Sequence, residues 1–357
     1  MQLELKRFLK EIKDEEYDAV IIESAENIKY LVGYNIDSGI LVIIKKHCYL
    51  FLDERYIRDI DKKLGDIELV LLINLKRQLK DILKKEKVKT VALETNYITI
   101  EKYKAYMSML NKITINISAN ISKKLLEQRA SKNEEDIEKI RIAQELTDEA
   151  FTHMLNYIKP GMTEISIAAE LEKYLISLGS EGKPFDFIVV TGQRTSIPHG
   201  KPTINQVKRG DFITLDFGAT IQGYHSDMTR TIAIGPITSK QKEIYEIVLY
   251  TQNKAISALK VGIQADKVDK NARNYLNKKG YSQYFCHGLG HGVGLQVHEY
   301  PTLTPKSEDI ILENNVVTIE PGIYIPEEFG VRIEDMLVVK ESGCINLTKS
   351  RKDLILI

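Results

Sequence analysis

The chain has 357 residues, of which 43% are hydrophobic and 28% charged, an ordinary balance for a soluble protein. Fifty basic residues against fifty acidic give a formal charge of zero, which excludes the electrostatic footprint of a nucleic-acid or other polyanion binder. Met1–Arg7 carries charges where a secretory signal needs an apolar run, and no stretch reaches about 18 uninterrupted apolar residues, so a cytoplasmic location without a membrane anchor is expected.

The length predicts two domains. In the first, residues 1–123, helical spacing of apolar residues covers 3–16 and a short strand follows at 19–22. Residues 40–44 and 49–52 read as a hairpin bent at Lys45-Lys46-His47, with further strands around Val70 and Val91. Helices are expected over 57–64, 75–86 and 97–110. That alternation predicts an α/β layered domain with a mixed sheet. The second domain, residues 124–357, opens with a helix over 134–157 whose apolar positions 137, 140, 143, 146 and 150 form one stripe for core packing. Lys159-Pro160-Gly161 stops it, and a second helix is expected over 164–178.

Further along, Thr214-Leu215-Asp216-Phe217-Gly218, a bend at Gly223-Tyr224, and Ser226-Asp227-Met228-Thr229-Arg230 read as a hairpin with apolar flanks. A bend centred between Ile221 and Gln222 sets Asp216 opposite Asp227. Cβ atoms about 4.5 to 5.5 Å apart then suit two carboxylates sharing metal ions. His291 lies in the run His287-Gly288-Leu289-Gly290-His291-Gly292-Val293-Gly294, where glycines allow close backbone approach; the run has neither the lysine of a phosphate loop nor a dinucleotide spacing. Glu320 ends the apolar run Val316–Ile319 before Pro321-Gly322, and Glu334 follows Val331-Arg332-Ile333; both are expected to be strand residues. Asp216, Asp227, His291, Glu320 and Glu334 together offer four carboxylates and one imidazole, a donor set whose charge matches two divalent cations. Without cations, so many carboxylates in one pocket would repel and take up protons.

Cys48, Cys286 and Cys344 are scattered, with no paired zinc spacing. Cys286 beside His287 invites reading as a nucleophile; the expectation is a small buried residue at a strand end.

The stretch from about Ala130 to Val339 resembles the pita-bread metallopeptidases, the family of methionine aminopeptidase, prolidase and Xaa-Pro aminopeptidase. Each of the five residues above matches a metal ligand of that family, in family order. Arg332-Ile333-Glu334-Asp335 looks like the proline-specific branch, and Asn27–Tyr34 is similar to the creatinase-type N-terminal domain carried by prolidases. The resemblance implies two divalent ions, manganese or cobalt, with zinc also compatible with the donors. It implies attack by a metal-bridging hydroxide on a peptide whose second residue is proline, with Glu320 as general base and then acid. His199 and His298 match histidines lining the active site and are expected to stabilise the intermediate; together with His287 they are expected to bind substrate. Arg332, two residues before Glu334, is expected on the same side, orienting that ligand or touching substrate, with a surface salt bridge as the alternative.

Some prolidases have an arginine four residues after the histidine matching His298. Thr302 stands there in this chain, which favours an Xaa-Pro aminopeptidase acting on longer peptides over a strict dipeptidase. A non-catalytic pita-bread binding module is the competing class, although such proteins typically lack ligands that are intact in this sequence. The resemblance also implies a homodimer, with Asn35-Ile36-Asp37-Ser38-Gly39 as the loop approaching the partner's site; Asp37 as an ordinary turn residue is the simpler alternative.

Overall fold

The structure is a computed structural model and describes residues 3–45, 47–58, 60 and 64–357. The chain divides into two compact units, Met1–Arg129 and Ala130–Ile357.

In chain order the first unit runs α1 (Leu3–Glu11), β1 (Ala19–Ile22), α2 (Ala25–Val32), β2 (Ile40–Ile44), β3 (His47–Leu52), α3 (Glu54–Ile57), β4 (Ile67–Leu71), α4 (Leu75–Lys85), β5 (Thr90–Leu93), α5 (Ile100–Met109), β6 (Thr114–Asn116) and α6 (Ile121–Ala130). Among the described residues the strands form one sheet in the order β4-β3-β2-β1-β5-β6. Antiparallel pairs β1/β2 and β2/β3 sit among parallel ones, so the sheet is mixed as expected. Leu79 and Leu83, one turn apart on α4, pack with Val42, Phe51 and Val91 in its core. α1 stops at Glu11, short of the expected residue 16, because its buried stripe Leu5, Phe8, Ile12 ends there and Lys13–Glu16 are polar. Lys46 of the expected bend, and residues 59 and 61–63 of the expected helix 57–64, lie outside the described residues.

The second unit opens with α7 (Glu134–Tyr157), capped at its N-terminus by the Asn133 side chain, and α8 (Glu164–Ser177), started by a Thr163/Ser166 capping box. Ile137, Ile140, Ala143 and Ala150 are buried along the predicted stripe. There follow β7 (Ile188–Thr191), β8 (Phe212–Phe217), β9 (Thr220–Ile221), β10 (Tyr224–His225), β11 (Met228–Ala233), α9 (Ser239–Ala258), α10 (Ala265–Lys278), β12 (Gly290–Gly292) and β13 (Glu299–Leu303). Then come β14 (Val316–Ile319), β15 (Gly322–Ile325), β16 (Phe329–Arg332), β17 (Asp335–Lys340) and β18 (Gly343–Asn346). β11-β8-β7 form one sheet, β13-β12-β14-β17-β18 a second, and β15-β16 a separate ribbon. α7 and α8 cover a core with Ile213, Leu215 and Ile232; α9 and α10 cover another with Val317, Ile319 and Leu337. Among the described residues, no helix is long and apolar enough to cross a membrane.

Candidate metal centre

The β8–β11 register differs from the expected one. Asp216 pairs with Thr229 rather than Asp227, because the bend is centred between Gln222 and Gly223, both at positive φ (47° and 70°). Two successive left-handed residues are what a tight hairpin turn needs, and Glu181 fixes this one by accepting from both amides. Moving the bend by one residue changes the partner by two, so face parity is kept: Asp227, two residues before Thr229, lies diagonally from Asp216 instead of directly across.

Glu320 and Glu334 are not strand residues. They occupy the gaps Glu320-Pro321 and Ile333-Glu334, where the chain leaves β14 for the β15–β16 ribbon and returns to β17. Their amides are fixed from outside, Glu320 donating to Leu289 O at 2.8 Å and Glu334 to Thr229 O at 3.1 Å. The glycines around His291 act as expected. A Cβ on Gly290 would lie 2.0 Å from Thr318 O, and one on Gly292 would lie 2.2 Å from Tyr300 O, so only glycine lets β12 nest between its neighbours.

These elements bring ligand atoms of Asp227, His291 and Glu334 within 4.8 Å of one another. His291 Nε2 lies 3.4 Å from Glu320 Oε1 and 3.6 Å from Asp227 Oδ2. Its Nδ1 donates to Gly292 O at 3.1 Å, leaving Nε2 as the lone-pair atom facing the carboxylates. Burial, with the neighbouring His298, lowers the imidazole to about 3, so it is neutral and competent as a ligand. Burial is also the leading cause that raises three of the carboxyls. Glu334 is pushed up to about 8 by burial and then by Asp216. Asp227 and Glu320 move the same way, with Glu334 the next cause in each.

Asp216 supplies the test of fit. Its Oδ2 accepts from Arg332 Nη2 at 2.6 Å, while its Oδ1 is buried with no hydrogen-bond partner. A buried carboxylate oxygen is costly to leave unsatisfied, and here it belongs to a cluster of mutually repelling acids and one neutral imidazole. Divalent cations satisfy both needs, and the oxygen-rich donor set suits them.

Arg332 is 3% exposed, so it forms no surface salt bridge, and its guanidinium addresses Asp216 rather than Glu334. Three residues not singled out in the sequence complete this layer. Thr229 accepts from Arg332 Nε at 3.0 Å and donates to Glu334 Oε2 at 2.6 Å. Tyr324 accepts from Arg332 Nη1 at 2.8 Å and sits 2.8 Å from His287 Nε2. Thr318 accepts from the His291 amide at 3.1 Å and lies 3.4 Å from Glu320 Oε1. Thr229 and Thr318 each stand two residues from a proposed ligand and Tyr324 lies on the ribbon between two, but the ligands fall outside the strands that carry these residues, so spacing alone gave no signal for them.

His287 is held at both ring nitrogens, Nδ1 facing Gly288 O at 2.8 Å and Nε2 facing Tyr324. Burial first, then Arg332, lowers it to about 3. Both nitrogens are engaged within the protein, and the side chain is 20% exposed. His298 is exposed with its ring centroid 4.2 Å from that of His291; burial of its inner edge lowers its pKa, with Asp216 opposing. His199 is exposed, and the carbonyl of the preceding Pro198 accepts from Arg332 Nη1 at 3.3 Å. Thr302 is the cross-strand partner of His291 and bonds Asp309 through both its amide (2.8 Å) and its hydroxyl (3.0 Å). Asp37 is exposed in the loop between α2 and β2.

Cys286 is exposed, against the expected burial. It follows a single 3-10 turn rather than a strand, and the inward ring of Phe285 turns the next side chain out.

The Metallopeptidase family M24 model matches residues 138–341, and the Creatinase/Prolidase N-terminal domain model matches residues 4–151. A Pyrococcus horikoshii protein named Xaa-Pro dipeptidase is 35% identical, with 99% of each chain covered. Among solved structures, an Xaa-Pro dipeptidase from Bacillus anthracis superposes with a TM-score of 0.95 at 34% identity. An X-Pro aminopeptidase from Thermotoga maritima superposes with 0.90 at 35%, and 99% of each chain is covered in both cases. Fold and site together define a metal-dependent peptidase with a creatinase-type N-terminal domain and a pita-bread C-terminal domain. The chain belongs to metallopeptidase family M24.

Proposed function

We propose that the chain hydrolyses the Xaa-Pro bond at the N-terminus of peptides, with Asp216, Asp227, His291, Glu320 and Glu334 holding two divalent ions. The observation that carries the metal assignment is the unsatisfied, buried Asp216 Oδ1 within the acidic cluster. Manganese or cobalt is the expected occupant, and zinc fits the same donors. When bound, the cations supply Lewis-acid polarisation of the scissile carbonyl and acidify water.

The protein's own groups do the rest. Glu320 takes the proton of the attacking water and returns it to the leaving nitrogen. His298, kept neutral by its lowered pKa, and His199 donate to the carbonyl oxygen as charge develops on it. Arg332 and Tyr324 orient Asp216 and His287 rather than the peptide. Proline's nitrogen carries no hydrogen, so a site built for it makes no demand for a donor there.

Two features favour longer peptides over dipeptides. Arg332 is committed to acceptors on Thr229, Pro198, Tyr324 and Asp216, and Thr302 is tied to a carboxylate. Neither offers a free cation to a dipeptide's C-terminal carboxylate. Restriction to dipeptides is the second reading, favoured by the activity for which the Pyrococcus and Bacillus anthracis relatives are named. A homodimer in which the Asp37 loop approaches the partner's site is part of the same proposal. The test is to strip the protein of metal, restore manganese, cobalt or zinc separately, and assay an Xaa-Pro dipeptide beside an Xaa-Pro-Yaa tripeptide. Metal-dependent cleavage with the tripeptide preferred supports the first reading, and dipeptide-only cleavage supports the second. Metal binding without cleavage of either removes the proline assignment.

A further inference from the structure

α10 carries Asp269 and Arg273 one turn apart, an acid-before-base pair of the kind that pairs along a helix. Arg273 Nε donates to Asp269 Oδ2 at 2.7 Å and Nη2 to Oδ1 at 3.2 Å. The Asp269 side chain is fully buried and that of Arg273 is 22% exposed. The pair does not stop at its own bridge. Arg273 Nη1 donates to Phe285 O at 3.0 Å and Nη2 to His287 O, while Asp269 Oδ1 accepts from Leu289 N at 3.2 Å. The guanidinium also lies over the Phe285 ring, 4.3 Å from its centroid.

One helical ion pair thus grips backbone groups at alternate residues of a single short segment: two carbonyls and then an amide. What that segment carries gives the grip its meaning. His287 sits in its middle, with its ring set against Tyr324. Leu289, at its end, accepts the amide of Glu320 at 2.8 Å, so the position of the proposed proton carrier depends on where residue 289 is held. Gly288 leaves no slack, since a Cβ there would lie 2.9 Å from Thr304 Cγ2. A buried salt bridge is weak evidence for stability in itself. One whose remaining donors and acceptor all address the backbone of one functional segment is geometry for placement.

We infer that Asp269 and Arg273 are positioning residues for the reaction, acting through Leu289 on Glu320 and through the 285–287 backbone on His287. The inference rests on the role proposed above for Glu320. Lysine at 273 keeps the charge but has no planar fork to reach the carboxylate and two carbonyls together. Arg273→Lys, folded and with full metal content, is therefore expected to lose about tenfold or more in kcat with KM within about twofold, the signature of an interaction realised in the transition state. Arg273→Ala should regain part of that kcat on addition of millimolar guanidinium. A second readout needs no substrate: the ring 15N shifts of His287, expected to report one tautomer in the wild type and a mixture in Arg273→Lys.

Should the lysine variant not fold, Asp269→Asn, which keeps volume and the acceptor for Leu289 N, carries the same measurements. An unchanged kcat and unchanged His287 shifts in a folded, metal-replete variant overturn the inference, as does a kcat loss that only follows lost metal. If the wild type cleaves no Xaa-Pro peptide, the reaction assigned above fails, and the His287 shifts still decide whether the pair positions that segment.

Discussion

Arg332 Nη2 and Asp216 Oδ2 meet at 2.6 Å in surroundings that leave the arginine side chain 3% exposed. The same guanidinium reaches Thr229, and through its hydroxyl Glu334, so one cation orders two of the acids around it. Lysine is a point charge that cannot make these contacts together. Arg332→Lys is expected to lower kcat/KM by about tenfold or more. Arg332→Met, which strands Asp216 without its partner, should cost about 3 kcal/mol or more by denaturant unfolding. Wild-type kinetics in the lysine variant would remove the ordering role.

Asp227 lies within reach of both His291 and Glu334. Asp227→Asn is expected to abolish metal retention after gel filtration, measured by elemental analysis, together with hydrolysis. Full activity in that variant would end the enzyme reading as built on these ligands.

The acidic cluster makes a pH prediction with a definite sign. Burial, then Asp216, raises Glu334 from an ordinary 4.5 to about 8, and Asp227 and Glu320 move the same way. The metal-free folded protein therefore holds protons that the unfolded chain has already released between these values, and its stability falls as pH rises through that window. Its Tm should drop between about pH 5 and 8, and the metal-loaded protein should lack that drop. Metal binding at neutral pH should release protons, read by calorimetry in two buffers of different ionisation enthalpy. No proton release would mean the carboxyls are already ionised without metal.

Thr302 stands opposite His291 across β12 and β13. Thr302→Arg puts a cation on that face and should raise the ratio of dipeptide to tripeptide kcat/KM. An unchanged ratio refutes the specificity role given to this position.

Gly290→Ala forces a Cβ to within 2.0 Å of Thr318 O, and backbone cannot yield as a side-chain tip does. A loss of about 3 kcal/mol or more, with lower metal content, is expected. Gly161→Ala is the comparison: φ is +90° but nothing lies within 4 Å, so only backbone strain of about 1 kcal/mol applies. Thermal melts of the two variants side by side check the difference.

α7 and α8 were legible because their signals are local, as in the apolar stripe of α7 and the Lys159-Pro160-Gly161 stop after it; α9 and α10 were not singled out. The candidate ligands were picked out because each sits in its own motif, and the structure brings ligand atoms of Asp227, His291 and Glu334 together. Register was not: whether Asp216 faces Asp227 or Thr229 depends on which two residues take positive φ, and Gln222 gives no sign that it does. Nor was the strand status of Glu320 and Glu334, since an apolar run says where a strand lies but not where the chain steps from one sheet to another. Arg332 was singled out beside Glu334, which it reaches only through Thr229, while its direct partner Asp216 was not legible. Residue spacing assigns a face only within one unbroken strand, and the break falls between Arg332 and Glu334.

The β15–β16 ribbon begins just after Glu320 and ends just before Glu334, with Gly322 paired to Arg332 at its base and Ile325 to Phe329 near its tip. Its root is thus flanked by two proposed ligands, while the turn residues Pro326, Glu327 and Glu328 at its far end are exposed. Chain length can drift at that tip by whole turns without moving a ligand atom, whereas a single residue gained or lost at the root would rotate one glutamate out of the centre. Insertions and deletions among relatives should collect at the first place and be absent from the second.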